Sequence, residues 1–453
     1  MNSQFLWSGT ELQAAFGQAD ISTGVTGISI DSRTTAPGDL FVALSGNPGP
    51  RFGGGNEKAG DGHNFIEMAT NAGASVVMAH RKVTCAVPVL WVDDTLDGLW
   101  QLGSYSRNRT SAKVVGITGS SGKTTLRAWL QAILSPIVSC HASEGSLNNH
   151  WGVPLSLARM SAGSDVGLFE IGTNHPGEIE PLSRLVEPDV ALVLNVLPAH
   201  IGNFSGLDEL KAEKLSISHG LRSGGTLVVP VGLAGHSNHP KIMTFGEGGD
   251  VYAKGRSTGS GTVVRIDVAG TVVECEVPFI GSERVESIAA LFAVLSALGF
   301  DPEQAVAHIS ALEIPSGRGN LIKVGGITVI DDSYNANPVS MKMSLVHLAS
   351  MEKHRRRIAL LGEMLELGTA SQAAHQEIGR HLEGVDQVYT FGPGFSESSF
   401  ARQGHFPSVD EFDLENFVSR LEPGDSILVK GSNKVFWKRE FVKQLAAFID
   451  HPR

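Results

Sequence analysis

Val114-Val115-Gly116-Ile117-Thr118-Gly119-Ser120-Ser121-Gly122-Lys123-Thr124-Thr125 runs from apolar residues through a glycine- and serine-rich turn into Lys-Thr-Thr. The nearly continuous apolar run reads as a strand buried on both faces, and the pattern over residues 124–134 reads as a helix. Small residues between the two let backbone N–H groups converge on an anion, and the helix N-terminus adds its positive dipole end. Lys123 then reaches the β- and γ-phosphates of a nucleotide, and the Thr124 hydroxyl is a hard oxygen donor of the kind Mg²⁺ takes. The common G-x-x-x-x-G-K-T spacing is not kept, because position 117 is isoleucine and the glycines fall at 116, 119 and 122. A bland alternative is a glycine turn capping a helix. It explains the turn but not its place between a strand and a helix.

The same rhythm continues outward. Apolar runs at 114–118, 166–171 and 190–196 alternate with helical patterns at 124–134, 177–186 and 207–220, which predicts a parallel sheet covered by helices on both faces. A β-rich patch at 261–279 and helices at 285–298 and 302–312 follow. On the N-terminal side, strands at 26–30, 75–80 and 87–92 alternate with helices at 65–71 and 96–106, around a long loop at 47–62. Ile314-Pro315-Ser316-Gly317 reads as a hinge, beyond which strands at 327–331, 357–361, 388–391 and 426–429 form a second βα series. The expected fold is α/β in three domains. These are a smaller N-terminal α/β domain (1–110), a central P-loop nucleotide-binding domain (111–314) and a C-terminal Rossmann-like α/β domain (315–453).

Composition narrows the function. A chain of 453 residues exceeds one hydrophobic core, and 42% hydrophobic with 18% charged residues is an ordinary globular balance. The formal charge of −11, with no long basic run, argues against a nucleic-acid partner. Three scattered cysteines (Cys85, Cys140, Cys275) give neither a disulfide framework nor a zinc spacing. No secretory segment and no stretch long enough to span a membrane is legible, so the expected location is the cytoplasm.

Glu170 ends the 166–171 strand, and ligands of open α/β sheets gather beyond such strand ends. A carboxylate facing a triphosphate there is a magnesium ligand in waiting. Several further segments join the pattern: Leu147-Asn148-Asn149-His150-Trp151-Gly152-Val153-Pro154, Glu170-Ile171-Gly172-Thr173-Asn174-His175-Pro176-Gly177-Glu178, Asn195-Val196-Leu197-Pro198-Ala199-His200, Gly317-Arg318-Gly319, and Asp332-Ser333-Tyr334-Asn335-Ala336-Asn337-Pro338.

Together with the phosphate loop these segments resemble the Mur ligases, and within them the D-alanyl-D-alanine-adding members. The resemblance covers nearly the whole chain. It implies an ATP-dependent amide ligase that joins D-alanyl-D-alanine to UDP-N-acetylmuramoyl-tripeptide through an acyl phosphate, working as a monomer with ATP and two Mg²⁺ ions. It assigns ATP to Gly119, Ser120, Ser121, Gly122, Lys123, Thr124, Thr125, Asn149, Arg318 (γ-phosphate), Asp332 (ribose) and Asn335. Thr124, Glu170, His200 and Lys214 become the metal site, with Lys214 carbamylated, and Lys123, Lys214, His200 and Arg318 the catalytic set. Substrate contacts fall to Ser32 and Arg33 for the uridine diphosphate, to Asn148, Asn174 and His175, and to Lys430 and Ser432 beside the incoming dipeptide. The sister ligase adding the third amino acid carries an Asp-Asn-Pro-Arg element that is absent here. Two segments depart from the pattern: 281–287, where the family contacts adenine, and Asn433, where a basic residue usually follows the serine.

Overall fold

Apolar runs with little polar interruption can lie only between two covering layers, and three such sheets form along the chain. The computed structural model describes residues 5–18, 21–46, 60–198, 201–258, 261–278, 282–351, 355–398, 400 and 403–451. Residues 47–59 of the expected 47–62 loop lie outside these, and Gly62–Phe65 is a 3₁₀ turn. The first sheet has four parallel strands in chain order, Gly27–Ser29, Asp39–Val42, Val76–Ala79 and Val89–Trp91. Helix Thr95–Asn108 covers it and packs against helix Gly152–Ala158 of the next unit.

The central sheet has nine strands. Cys140–Ala142, Val166–Glu170, Lys113–Thr118, Val190–Val193, Thr226–Pro230, Ile242–Phe245 and Val251–Ser257 lie parallel in that spatial order. Alternation along the phosphate-loop strand sets the two layers. Val115 and Ile117 face helices Lys123–Leu134 and Ser282–Leu298, while Val114 faces Gly152–Ala158 and Ile179–Val186.

The β-rich patch expected at 261–279 extends this sheet. Thr262–Val268 and Thr271–Val277 continue it as an antiparallel ribbon. Thr262–Val268 alternates between buried and more exposed residues, the mark of a sheet with one wet face. Ala269-Gly270, both at positive φ, joins the two strands in a tight hairpin. The third sheet has six strands, ordered Asn320–Val324, Ile327–Asp332, Ser426–Lys430, Arg357–Gly362, Gln387–Phe391 and Gly404–Phe406. All its pairs are parallel except the first. The helix expected over 207–220 stops at Leu215 and tightens into a 3₁₀ turn, Ser216–Gly220. No described helix is long and apolar enough to cross a membrane, and Cys85, Cys140 and Cys275 are free thiols.

The phosphate-loop helix is tied to the expected hinge. Trp129 is 1% exposed, and its Nε1–H donates to the Glu313 carbonyl at 2.8 Å, just before Ile314. Trp129→Ala should destabilise by about 3–5 kcal/mol through the cavity left behind. Trp129→Phe, which chiefly removes the hydrogen bond, should cost only about 1–2 kcal/mol. Denaturant unfolding of both variants checks this, and equal losses would contradict the division into packing and hydrogen bonding.

Candidate functional site

A cleft of about 550 Å³ opens where the carboxyl ends of the central strands face the third sheet. The phosphate loop forms its floor. Gly122 caps helix Lys123–Leu134 at φ 82, a left-handed conformation that a side chain resists, and an added Cβ would stand 3.0 Å from Leu194 Cδ2. The loop is clamped from the neighbouring strand. Asn195 Oδ1 accepts the Ser120 and Ser121 N–H groups at 3.0 Å each, and its Nδ2 donates to the Ser121 carbonyl at 3.0 Å. The Ser120 hydroxyl donates to the Leu197 carbonyl at 2.8 Å. Asn195 was not among the expected site residues, although an asparagine closing an apolar run beside a phosphate loop was a signal that could have found it.

Lys123 folds back over this loop, its Nζ donating to the Gly119 carbonyl at 2.7 Å. Desolvation lowers its pKa most, Glu170 offsets part of that, and Arg318 lowers it further. Glu170 is 2% exposed and accepts from the Thr124 hydroxyl and from Asn148 Nδ2, both at 2.8 Å. A buried carboxylate held by two neutral donors beside a hydroxyl is an all-oxygen set that fits a hard divalent cation.

Lys214 is 3% exposed on helix Leu207–Leu215, and its pKa is lowered to about 7, by burial first and then by Lys123, with Glu213 opposing. Its neighbour Glu213 caps the start of helix Ile179–Val186, accepting the Gly177 and Ile179 N–H groups at 2.7 and 2.8 Å. Lys211 pairs instead with exposed Asp208 at 3.1 Å. His200 lies outside the described residues. Among the described residues no three His, Cys, Asp or Glu side chains form a metal-binding group. Of the expected set's described members, Thr124, Glu170 and Lys214, only Glu170 is of a counted type.

The opposite wall comes from the third unit. Asp331, 4% exposed, accepts the Gly317 N–H at 2.9 Å and the Ser333 hydroxyl at 2.5 Å, bracing the turn that carries Arg318. Burial raises the Asp331 pKa, against those hydrogen bonds. Arg318 lies over the Tyr334 ring at 4.1 Å and donates to Ser146 Oγ of the central unit at 3.1 Å. Arg284, from the departing 281–287 segment, donates to the Gly319 carbonyl at 3.3 Å, and it lines the cleft with Ser287.

Asp332 and Lys430 were expected on different ligands, yet they pair at 2.8 Å, with Ser344 Oγ donating to Asp332 at 2.6 Å. Lys430 Nζ also donates to the Asn335 carbonyl at 2.9 Å. Ser432, Asn148, Asn149, Asn174, Thr125 and Asn335 line the cleft as well. Six other described residues of the expected set do not: Gly119, Thr124 and Lys214 are buried and reach no lining surface, and the other three lie elsewhere. His175 is exposed beside Glu178, and Ser32 and Arg33 sit on the N-terminal unit, where Asp31 clasps Arg33 at 2.6 Å.

The chain matches the models of the Mur ligase middle domain over residues 117–295 and of the Mur ligase glutamate ligase domain over 317–433. It is 30% identical to UDP-N-acetylmuramoyl-tripeptide–D-alanyl-D-alanine ligase of Bacillus subtilis (strain 168), covering 93% of each chain. Among solved structures it resembles MurF from Acinetobacter baumannii, with a TM-score of 0.84 and 30% identity over 97% of this chain and 98% of that one. MurF ligase from Thermotoga maritima in complex with ADP gives a TM-score of 0.77 at 27% identity, covering 94% of this chain and 98% of that one.

Asn195→Ala should free the phosphate loop without opening the core, since the side chain's partners are loop backbone groups. The expected result is a rise in KM for ATP of about 10-fold, the size of one or two lost hydrogen bonds. An unchanged KM for ATP would show that the loop holds its shape without the clamp.

Proposed function

This chain belongs to the Mur ligase family, and from that premise we propose that it joins D-alanyl-D-alanine to UDP-N-acetylmuramoyl-tripeptide at the expense of ATP, in peptidoglycan precursor synthesis. One observation supports the reading most. Lys123 of the central unit and Arg318 of the third unit stand at a single cleft, and Arg318 bridges to central-unit Ser146. Phosphoryl transfer needs cations brought together from both sides of the transferring group, and a cleft between two units supplies them on closure. We place the unit boundaries at 110/111 and 314/315.

In this reading the tripeptide's terminal carboxylate attacks the γ-phosphorus of ATP and ADP leaves. The amine of the dipeptide then attacks the acyl phosphate, releasing inorganic phosphate and a proton as the amide forms. Lys123 and the loop N–H groups hold the β- and γ-phosphates, and Arg318 offsets the charge that develops on the transferring group. Closure of the third unit keeps water from the acyl phosphate. Asp332, fixed by Lys430 and Ser344, is oriented to accept from the ribose.

Mg²⁺ bound through Thr124 and Glu170 would supply charge neutralisation at the phosphates. Lys214 and His200 complete the proposed metal set. An ordinary lysine is almost wholly protonated near neutral pH and would repel a cation. The buried Lys214, with a pKa of about 7, keeps a neutral fraction able to take up CO₂ and become an anionic carbamate.

The reading is tested by ADP release with UDP-N-acetylmuramoyl-tripeptide, which should require D-alanyl-D-alanine for sustained turnover. Arg318→Ala should slow turnover by about 10²–10³ while changing ATP affinity far less. Equal losses in both would make the arginine a ground-state contact. Lys214→Ala should be nearly inactive and partly rescued by millimolar short carboxylates, while Lys211→Ala stays near wild type. Mass spectrometry of active, CO₂-equilibrated protein showing an unmodified Lys214 would remove the carbamate from the mechanism.

A further inference from the structure

An arginine that serves a transferring phosphoryl group has to be held within about 0.5 Å of its working position. Rotamer freedom worth about 2 kcal/mol works against that, so the guanidinium needs fixed partners. Arg318 has one from its own unit. The guanidinium lies over the Tyr334 ring at 4.1 Å, and that ring packs edge-on against Trp437 with centroids 5.4 Å apart. The turn is closed from behind, since a Cβ on Gly317 would stand 2.6 Å from Trp437 Cζ3. Stacking sets the plane of the group but lets it slide and turn within that plane.

A second partner from the central unit removes that freedom. Ser146 Oγ accepts from Arg318 Nη2 at 3.1 Å. Among the described residues the Arg318 side chain makes no other hydrogen bond or ion pair. A guanidinium has five N–H donors, so the others stay available to phosphoryl oxygens.

A serine on a loose loop would hold nothing, but the loop over residues 144–150 is gripped along its length. Arg159 pairs with Glu144 at 2.7 Å, and its Nε donates to the Ile28 carbonyl of the first unit at 2.8 Å. Arg127, buried on the phosphate-loop helix, donates to the Gly145 carbonyl at 3.4 Å. Leu147 packs against the core of the first unit, and Trp100 Nε1 donates to the His150 carbonyl at 2.9 Å. The Asn148 N–H turns back to the Ser146 carbonyl at 2.9 Å, while its Nδ2 donates to Glu170 at 2.8 Å. The loop that receives Arg318 is therefore the one that orients the buried carboxylate, and it rests on the first unit as well.

We propose that Ser146 is a positioning residue for Arg318. With the third unit closed, its hydroxyl fixes the guanidinium against the central wall of the cleft, on a loop registered against both the phosphate-loop helix and the first unit. The assignment rests on the ligase reading above, in which Arg318 offsets charge on the transferring group, and names the residue that aims it. Ser146 stands just before the Leu147-Asn148-Asn149 segment and carries none of the roles assigned to that segment.

The experiment measures ADP release by the full chain with saturating UDP-N-acetylmuramoyl-tripeptide and D-alanyl-D-alanine, and ATP affinity by calorimetry. The wild type, Ser146→Ala, Ser146→Thr, Arg318→Ala and the Ser146→Ala/Arg318→Ala double variant are compared, with a thermal melt on each. Ser146→Ala should lower kcat by about 10–100-fold, the loss expected for one hydrogen bond to a charged group, and leave Kd for ATP unchanged. Ser146→Thr, which keeps a hydroxyl on the same β-carbon, should retain most of the wild-type kcat. In the Arg318→Ala background Ser146→Ala should slow turnover no further, because its partner is already gone. Losses that multiply in the double variant overturn the proposal, since Ser146 would then act independently of Arg318. A Ser146→Ala variant with wild-type kcat overturns it as well, as does one whose Kd for ATP rises in step with the fall in kcat. No dipeptide-dependent ADP release by the wild type would overturn the ligase reading itself, a result distinct from any of those.

Discussion

The Thr124 hydroxyl donates to Glu170 at 2.8 Å, and this short bond joins the first turn of the phosphate-loop helix to the end of the adjacent parallel strand. Much of the site depends on that junction. It puts a buried anion beside the loop that receives another anion, an arrangement that is costly unless cations and hydrogen-bond donors are close at hand. Lys123, Asn148 and the Asn195 clamp provide them. Because each sits at the carboxyl end of a central strand or in the loop beyond it, the parallel sheet itself sets their spacing.

The second requirement is that the site be completed from outside. Arg318 and Arg284 cross the junction from opposite directions, one reaching Ser146 and the other the Gly319 carbonyl. Trp129, within the central unit, holds the Glu313 carbonyl just before the hinge. Both crossing contacts are polar, which suits a junction that opens for substrates and closes over a reactive intermediate. The turn between them is stiffened locally by Asp331, so the movable element carries a preset arginine rather than a loose one.

Within the third unit, two residues expected to meet ligands, Lys430 and Asp332, pair with one another. Each residue lies in a segment that points to a ligand, yet strands Ile327–Asp332 and Ser426–Lys430 are parallel neighbours in which Asp332 and Lys430 share a register position. The charges neutralise one another first, and the pair then presents only the remaining acceptor capacity of Asp332. Arg318, Lys434 and Lys438 are further basic side chains of this unit that line the cleft.

The α/β class, the phosphate loop and the carboxylate closing the adjacent strand were legible in the sequence because each depends on neighbours in the chain. A strand, a glycine turn and a helix start are local events, and hydrophobic periodicity reports them directly. Family membership was legible for the same reason, through short segments kept in order. The antiparallel ribbon at 262–277, the Asn195 clamp, the depth of Lys214 and the capture of Lys430 by Asp332 were not. Each is a relation between residues far apart in the chain or on different strands. Strand order, burial and the pairing of charges are settled only when the sheets assemble, since a side chain's desolvation and its partners do not exist before then.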